Sequence, residues 1–371
     1  MGRIQKEVYG PMRGRTERQT NMLLAVTTED LVPQRHPIRR IREVVDGLLD
    51  EMGPVFAEMY STRGRPSIPP EHLLKGTLLM ALYSIRSERQ FCERLQYDLL
   101  FKWFLGLNIT DQAFDPTTFT HNRERLLKHE VAEAFLGATV RQAKKQRLIS
   151  EEHFTVDGTL LQAWASLKSF RPKDEENPPG GGGRNAPADF HGQRRSNETH
   201  RSTTDPEARL MRKGRQQEAR LSYGGHLLTE NRNGLVVDAV LTQATGRSER
   251  EAALRLVERQ GLGAGATLGA DKAYDTREFV AALEANHIVP HIARNTNGRR
   301  SAVPGEVATT PGYAVSQRRR KLVEEPFGWL KTVGQSRKLR FIGVARNQLW
   351  FLFAISCYNV IRIAKLRPEA V

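Results

Sequence analysis

From Glu152 onward, short apolar runs alternate with helical patterns in a single order, and that order excludes most folds. His153 to Leu161 (HFTVDGTLL) reads as a strand. The runs His226–Thr229 and Leu235–Leu241 flank Asn233-Gly234, a pair that accepts the positive φ angles of a tight turn, and so read as a hairpin. Ser248 and Glu251 form a capping box before a helix from Ala252 to Gln260, which Gly261 closes. A buried strand follows at Ala266 to Ala270, then a helix from Phe279 to Asn286 capped by Asp275 and Glu278. Ile288 to Ala293 is a further strand, and Arg318 to Lys331 a further helix.

This is the element order of a ribonuclease-H-like core, an α/β fold with a mixed sheet flanked by helices. It occupies residues 151–371, interrupted after the first strand by a basic insertion at about 168–222. That insertion holds Pro178-Pro179 and Gly180 through Gly183, so disorder is expected around 172–192. Its Arg-rich second half, Arg194 to Arg220, suits a path along a DNA backbone. Upstream the texture is helical. Residues 1–60 form an irregular arm with a helix at Ile38 to Glu51, and 61–150 an all-α DNA-binding region. Its helices are expected at 71–83, 87–98 and 116–128, the last opened by Asp115-Pro116, with a fourth at 131–147. The first three suggest a helix-turn-helix-like unit exposing Thr117, Thr118, His121, Asn122 and Arg125 to a groove.

A net charge of +15 on 371 residues points to a polyanionic partner, and nucleic acid is the commonest. Between Arg294 and Arg346 twelve Lys or Arg face only three acids, Glu306, Glu324 and Glu325. Two cysteines, Cys92 and Cys357, exclude a disulfide framework and any Cys-based zinc site. The most apolar run, Leu349 to Ile363, is interrupted by Asn359 and Arg362 and is shorter than the ~20 residues a bilayer requires, so it reads as a buried helix. No membrane role is expected. Trp164 and Trp329 have the chemistry to stack on bases, but core packing is the expected use of each.

Three acids stand out by position. Asp157 lies inside the first strand, where an acid is disfavoured unless it is paired or binds a metal. Asp271 ends a buried strand, the place where sites form in open α/β sheets. Glu324 lies on the last helix of the core with Arg320 four residues before it and Lys331 seven after, all on one face of a continuous helix. Pro326 sits awkwardly in that helix and implies a kink there or a new start at Glu325. Carboxylates that converge from such elements suit hard cations, Mg²⁺ with Mn²⁺ as a substitute. Two ions per site would activate an attacking oxygen and stabilise a leaving one.

These residues resemble bacterial insertion-sequence transposases of the Asp-Asp-Glu (DDE) class, in the insertion-sequence four/five superfamily. The first acid followed by Gly-Thr matches Val156-Asp157-Gly158-Thr159, and the second matches Gly269-Ala270-Asp271-Lys272-Ala273-Tyr274-Asp275. The third belongs to a Tyr-x2-Arg-x3-Glu-x6-Lys signature, matched by Arg320, Glu324 and Lys331, with Gln317 in place of the Tyr. The resemblance implies that Asp157, Asp271 and Glu324 bind metal and catalyse strand cleavage and strand transfer. It also implies that Arg320 and Lys331 touch DNA phosphates, with Lys272, Arg318, Arg319, Asn122 and Arg125 as further expected DNA contacts. The expected partners are double-stranded DNA, at element ends and target, and further copies of the chain in a homodimer or higher oligomer. The expected location is the bacterial cytoplasm, at the nucleoid. The alternatives are an inactive transposase-derived DNA-binding protein and a nuclease of the same fold.

Overall fold

The computed structural model describes residues 26–60, 67–173, 195–214 and 217–367. Most of the stretch expected to be disordered, residues 174–192, lies outside them. The main sheet is built on five strands: β1 (His153–Gln162), β2 (Arg220–Glu230), β3 (Val236–Gln243), β4 (Thr267–Ala270) and β5 (Val289–Ile292). They lie in the order β3-β2-β1-β4-β5, with β1–β2 and β2–β3 antiparallel and β1–β4 and β4–β5 parallel. An antiparallel hairpin on one side and two parallel crossovers on the other is the ribonuclease-H-like arrangement. The insertion is folded where it is described. Phe170–Pro172 pairs with His200–Ser202, and Arg209–Met211 extends the sheet beside β2. Buried Asp205 accepts a hydrogen bond from the Tyr223 hydroxyl at 2.6 Å and ties this segment to the sheet.

The hairpin differs from the two-residue turn expected. Five residues, 231–235, separate its strands, and they wrap around the Glu230 carboxylate. That buried group accepts from the amides of Asn233 (2.7 Å), Arg232 (2.9 Å), Leu235 (3.2 Å) and Ser150 (3.3 Å). An ionised acceptor satisfying four otherwise unpaired amides is worth more than a tight turn. It also joins the hairpin to the entrance of β1.

Besides two short helices at Thr28–Leu31 and Gly53–Met59, the N-terminal helices are α1 (Ile38–Glu51), α2 (Pro70–Leu82), α3 (Glu88–Tyr97), α4 (Leu99–Leu105), α5 (Thr117–Lys128) and α6 (Val131–Lys145). Helix α4 is not expected, because LLFKWFL is apolar but for Lys102 and carries no 3.6-residue period. Its ends were legible: Asp98 accepts from the Phe101 amide, and Gly106 closes it at φ 77°. Around the sheet run α7 (Ser248–Gln260), α8 (Arg277–Ala285), α9 (Pro311–Arg319), α10 (Glu324–Thr332) and α11 (Val344–Leu366). The capping box expected on α7 does not form, since the Ser248 hydroxyl is engaged with Thr245. Asp275 is not the cap of α8 either. Thr276 caps it, and buried Asp275 holds the loop after β5 through the amides of Asn295 and Ala302.

The expected continuous helix from Arg318 to Lys331 is broken. Helix α9 ends at Arg319, a 3₁₀ segment covers Arg320–Val323, and α10 begins at Glu324. Pro326 thereby falls in a first turn, where its missing N–H costs no hydrogen bond. Helix α11 spans 23 residues, enough to cross a membrane by length, but most of it is buried inside the protein. It packs against β3, α6, α1 and α2, so the helical region and the sheet share one apolar core.

Replacing Glu230 with Ala leaves four amides without their acceptor. We expect a loss of about 3 kcal/mol in urea unfolding, with Glu230→Gln intermediate between the two.

Candidate active site

The register of the sheet brings two acids together. In the parallel β1–β4 pair, Thr155 lies opposite Gly269 as the last paired position. Asp157 and Asp271 each stand two residues further on, so both project from the same face where the strands part. Asp157 is half-buried and takes the Gly158 amide on Oδ1 at 2.8 Å. Burial pushes its carboxyl up to about 6, the charges of Asp271 and Glu249 add to the effect, and the Gly158 amide and Arg320 oppose it. Asp271 caps the 3₁₀ turn Lys272–Tyr274, accepting from the Ala273 amide at 2.7 Å.

Two cations flank this pair. Arg320 packs beside Gly269 on β4, with its Nε buried and unpartnered, and acts electrostatically on Asp157. Lys331 on α10 donates to the Thr159 hydroxyl, two residues along β1 from Asp157. Burial lowers the Lys331 ammonium, and the positive charges of Lys213 and Arg337 lower it further. Glu324 lies between them in sequence, exposed, and makes no hydrogen bond or ion pair among the described residues. In this arrangement no three Asp, Glu, His or Cys side chains among the described residues are close enough to enclose a metal ion. Glu324 therefore forms no three-acid cluster with Asp157 and Asp271 here. The 3₁₀ segment is the physical reason, because it breaks the single-helix face on which Arg320, Glu324 and Lys331 were aligned.

A further acid beside β1 is one the sequence did not single out. Glu249, in the first turn of α7, approaches β1 at Gly158. Burial raises its carboxyl, and Asp271 raises it further. Buried Tyr274 experiences all three carboxylates, and its hydroxyl is held well above the ordinary range, chiefly by burial. Nothing in the sequence distinguishes Glu249 from other first-turn acids; only its register against Gly158 does.

Of the expected DNA contacts, Lys272, Arg318 and Arg319 are exposed. Asn122 is not exposed. It is buried, donating to the Thr118 carbonyl at 2.8 Å and accepting from Arg125, whose guanidinium lies over the Tyr60 ring at 4.6 Å. The i, i+4 bond inside α5 turns Asn122 inward, away from the groove-facing role expected for it, while Arg125 beside it is half-buried. Part of the basic run is structural too. Arg340 binds the carbonyls of Ile85 and Arg86 over the Trp350 ring, and Arg346 pairs with Glu124. Gln317, where the signature has Tyr, donates to the His291 carbonyl at 2.7 Å and fastens α9 to β5. Trp164, expected in the core, is half exposed with Lys338 at 5.0 Å from its ring centre.

A family model described as a transposase domain matches residues 26–125, and one described as a transposase DDE domain matches residues 194–360. The second range includes Asp271 and Glu324 and begins after Asp157. No curated protein sequence matches the chain. Among solved structures, a piggyBac transposase synaptic complex with hairpin DNA is 10% identical, covering 91% of this chain and 77% of its own, at a TM-score of 0.41. A Mos1 transposase paired-end complex with the left transposon end is 11% identical, covering 74% and 82%, at 0.19. A pre-cleavage Mos1 transpososome is 10% identical, covering 84% and 83%, also at 0.19.

The Asp157 carboxyl ionises near pH 6 in the folded protein and near 3.8 when unfolded. Its charge therefore costs the fold nothing below pH 3.8, increasingly between the two values, and fully above pH 6. In EDTA, Asp157→Asn should raise stability by up to about 3 kcal/mol at pH 7.5 and leave it nearly unchanged near pH 4. Urea unfolding at the two pH values measures this.

Proposed function

The chain belongs to the DDE transposases, enzymes that cleave and transfer DNA strands, and from that premise we propose that it acts on the terminal inverted repeats of its own element. Asp157, Asp271 and Glu324 are the acids of the reaction centre. The juxtaposition of Asp157 and Asp271 where β1 and β4 part, with Arg320 and Lys331 against the same face, is the observation that supports this most.

Family members use divalent metal ions; Asp157 and Asp271 offer the hard oxygen donors such ions take, and Glu324 would have to swing toward them to complete the set. The two aspartates are crowded by like charge and form no ion pair among the described residues. Two ions, Mg²⁺ or Mn²⁺, held by these three acids would activate an attacking oxygen and stabilise a departing one. Arg320 and Lys331 hold the scissile phosphate against that site. Exposed Lys272, Arg318 and Arg319 neutralise neighbouring phosphates, which makes binding strongly salt-dependent. At the element end, a water oxygen bonds to phosphorus as the bond to the 3′ oxygen breaks, which frees a 3′-hydroxyl. That hydroxyl then attacks a target phosphodiester and displaces the target's own 3′ oxygen. A homodimer or higher oligomer holds the two ends, in the cytoplasm of a bacterial cell.

A labelled duplex carrying the element end, incubated with the protein in Mg²⁺, should be cut at the end. EDTA or Glu324→Ala should reduce cutting at least 1,000-fold, about 4 kcal/mol in the barrier, while end binding persists. Binding without cleavage in any metal would identify a non-catalytic DNA-binding derivative instead.

A further inference from the structure

Thr159 stands two residues beyond Asp157 on β1, on the same face of the sheet and about 7 Å along it. The pairing of β1 with β2 runs through both residues without a shift, so the alternation of faces holds. The Thr159 hydroxyl accepts a hydrogen bond from the Lys331 ammonium of α10. Among the described residues Lys331 makes no other hydrogen bond and pairs with no carboxylate, which leaves two of its three N–H donors free. Its charged neighbours are Lys213 and Arg337, which repel it, and Asp157, which attracts it. A long, half-buried ammonium beside two like charges would turn toward water unless something held it. The backbone behind it is fixed as well. The amides of Gly334 and Ser336 donate to the carbonyls of Trp329 and Leu330 and close α10. Beyond that turn the Arg337 carbonyl accepts from the Gln162 amide (3.1 Å) and the Leu339 amide donates to the Gln162 carbonyl (2.8 Å). Lys331 is thus held against β1 by its side chain and, a few residues on, by the main chain. An acid at position 159 would hold the lysine too, but would cancel its charge and repel a phosphate. A hydroxyl fixes the ammonium and leaves its charge whole.

Resting on the reaction centre assigned above, we infer that Thr159 is a positioning residue of that centre. It fixes the Lys331 ammonium on the Asp157 face of β1, un-neutralised and with two donors free for the scissile phosphate. Thr159 acts through Lys331 and touches no reacting atom itself.

The test uses the full-length protein in two assays. One is single-turnover cutting of the element-end duplex in Mg²⁺; the other is acetic anhydride labelling of lysines without DNA, read by mass spectrometry. Thr159→Val keeps the branched shape of the side chain and removes the acceptor. It should raise the labelling of Lys331 above that of the other lysines. It should also slow cutting roughly 10- to 100-fold, as losing a hydrogen bond to a charged group should, while end binding holds. Thr159→Ser, which keeps the hydroxyl, should retain the protection of Lys331 and most of the rate. A purely structural Thr159 would instead lower the melting temperature in the Val variant and expose lysines throughout, with Lys331 no different from the rest. That result overturns the inference and leaves the proposed function standing. So does unchanged Lys331 labelling in Thr159→Val, or a Ser variant as slow as the Val variant. A wild-type protein that cuts no DNA in any metal overturns the proposed function, and the labelling then still decides whether Thr159 holds Lys331.

Discussion

The rest of the molecule depends on the burial of α11 between the sheet and the N-terminal helices. A helix this apolar would be a liability on a surface; here its residues from Leu349 to Ile363 are the centre of a continuous core. Its polar residues fix where it sits. Asn359 both donates to the Val236 carbonyl (2.7 Å) and accepts from the Val236 amide (2.9 Å), and Gln348 accepts from the Leu241 amide. These bonds satisfy the free backbone edge of β3 and set the register of helix against strand. Trp350 donates to buried Ser336, which holds the chain beyond α10 in place.

A chain with a large positive surplus keeps its densest negative charge at the sheet's centre, and the two are arranged together. The charges of Asp271 and Glu249 raise the cost of ionising Asp157, and that of Asp271 the cost of ionising Glu249, while Arg320 tempers it at Asp157 without an ion pair. A tight salt bridge would neutralise the acids permanently and leave nothing for a cation to do. Distance preserves the negative charge. The exposed cations beyond, Lys272, Arg318 and Arg319, face outward, where a polyanion would meet them.

Periodicity and end signals carried most of the fold. The helix expected at Ile38 to Glu51 has those bounds, and strand β1 extends one residue past expectation. Helix α4 was hidden because a segment apolar but for Lys102 has no face to detect. The caps at Ser248 and Asp275 failed because each side chain found a tertiary partner that sequence spacing cannot show. At the site, Asp157 and Asp271 were legible because strand position makes an acid conspicuous. Glu249 was not, because an acid in a first helical turn is ordinary, and its partner Gly158 lies about 90 residues away in the chain. Asn122 misled for the opposite reason: a polar residue on a polar helix gives no hint that it folds back on its own backbone.

The short 3₁₀ segment at Arg320–Val323 also sets an angular relation. A 3₁₀ turn advances about 120° and 2.0 Å per residue, an α turn about 100° and 1.5 Å. Rewinding those four residues into α geometry would swing Glu324 by about 80° around the helix axis relative to α9 and draw α10 about 2 Å closer to it. Four peptide units thus act as a screw thread between two helices, and the bearing of the third acid depends on how tightly that thread is wound.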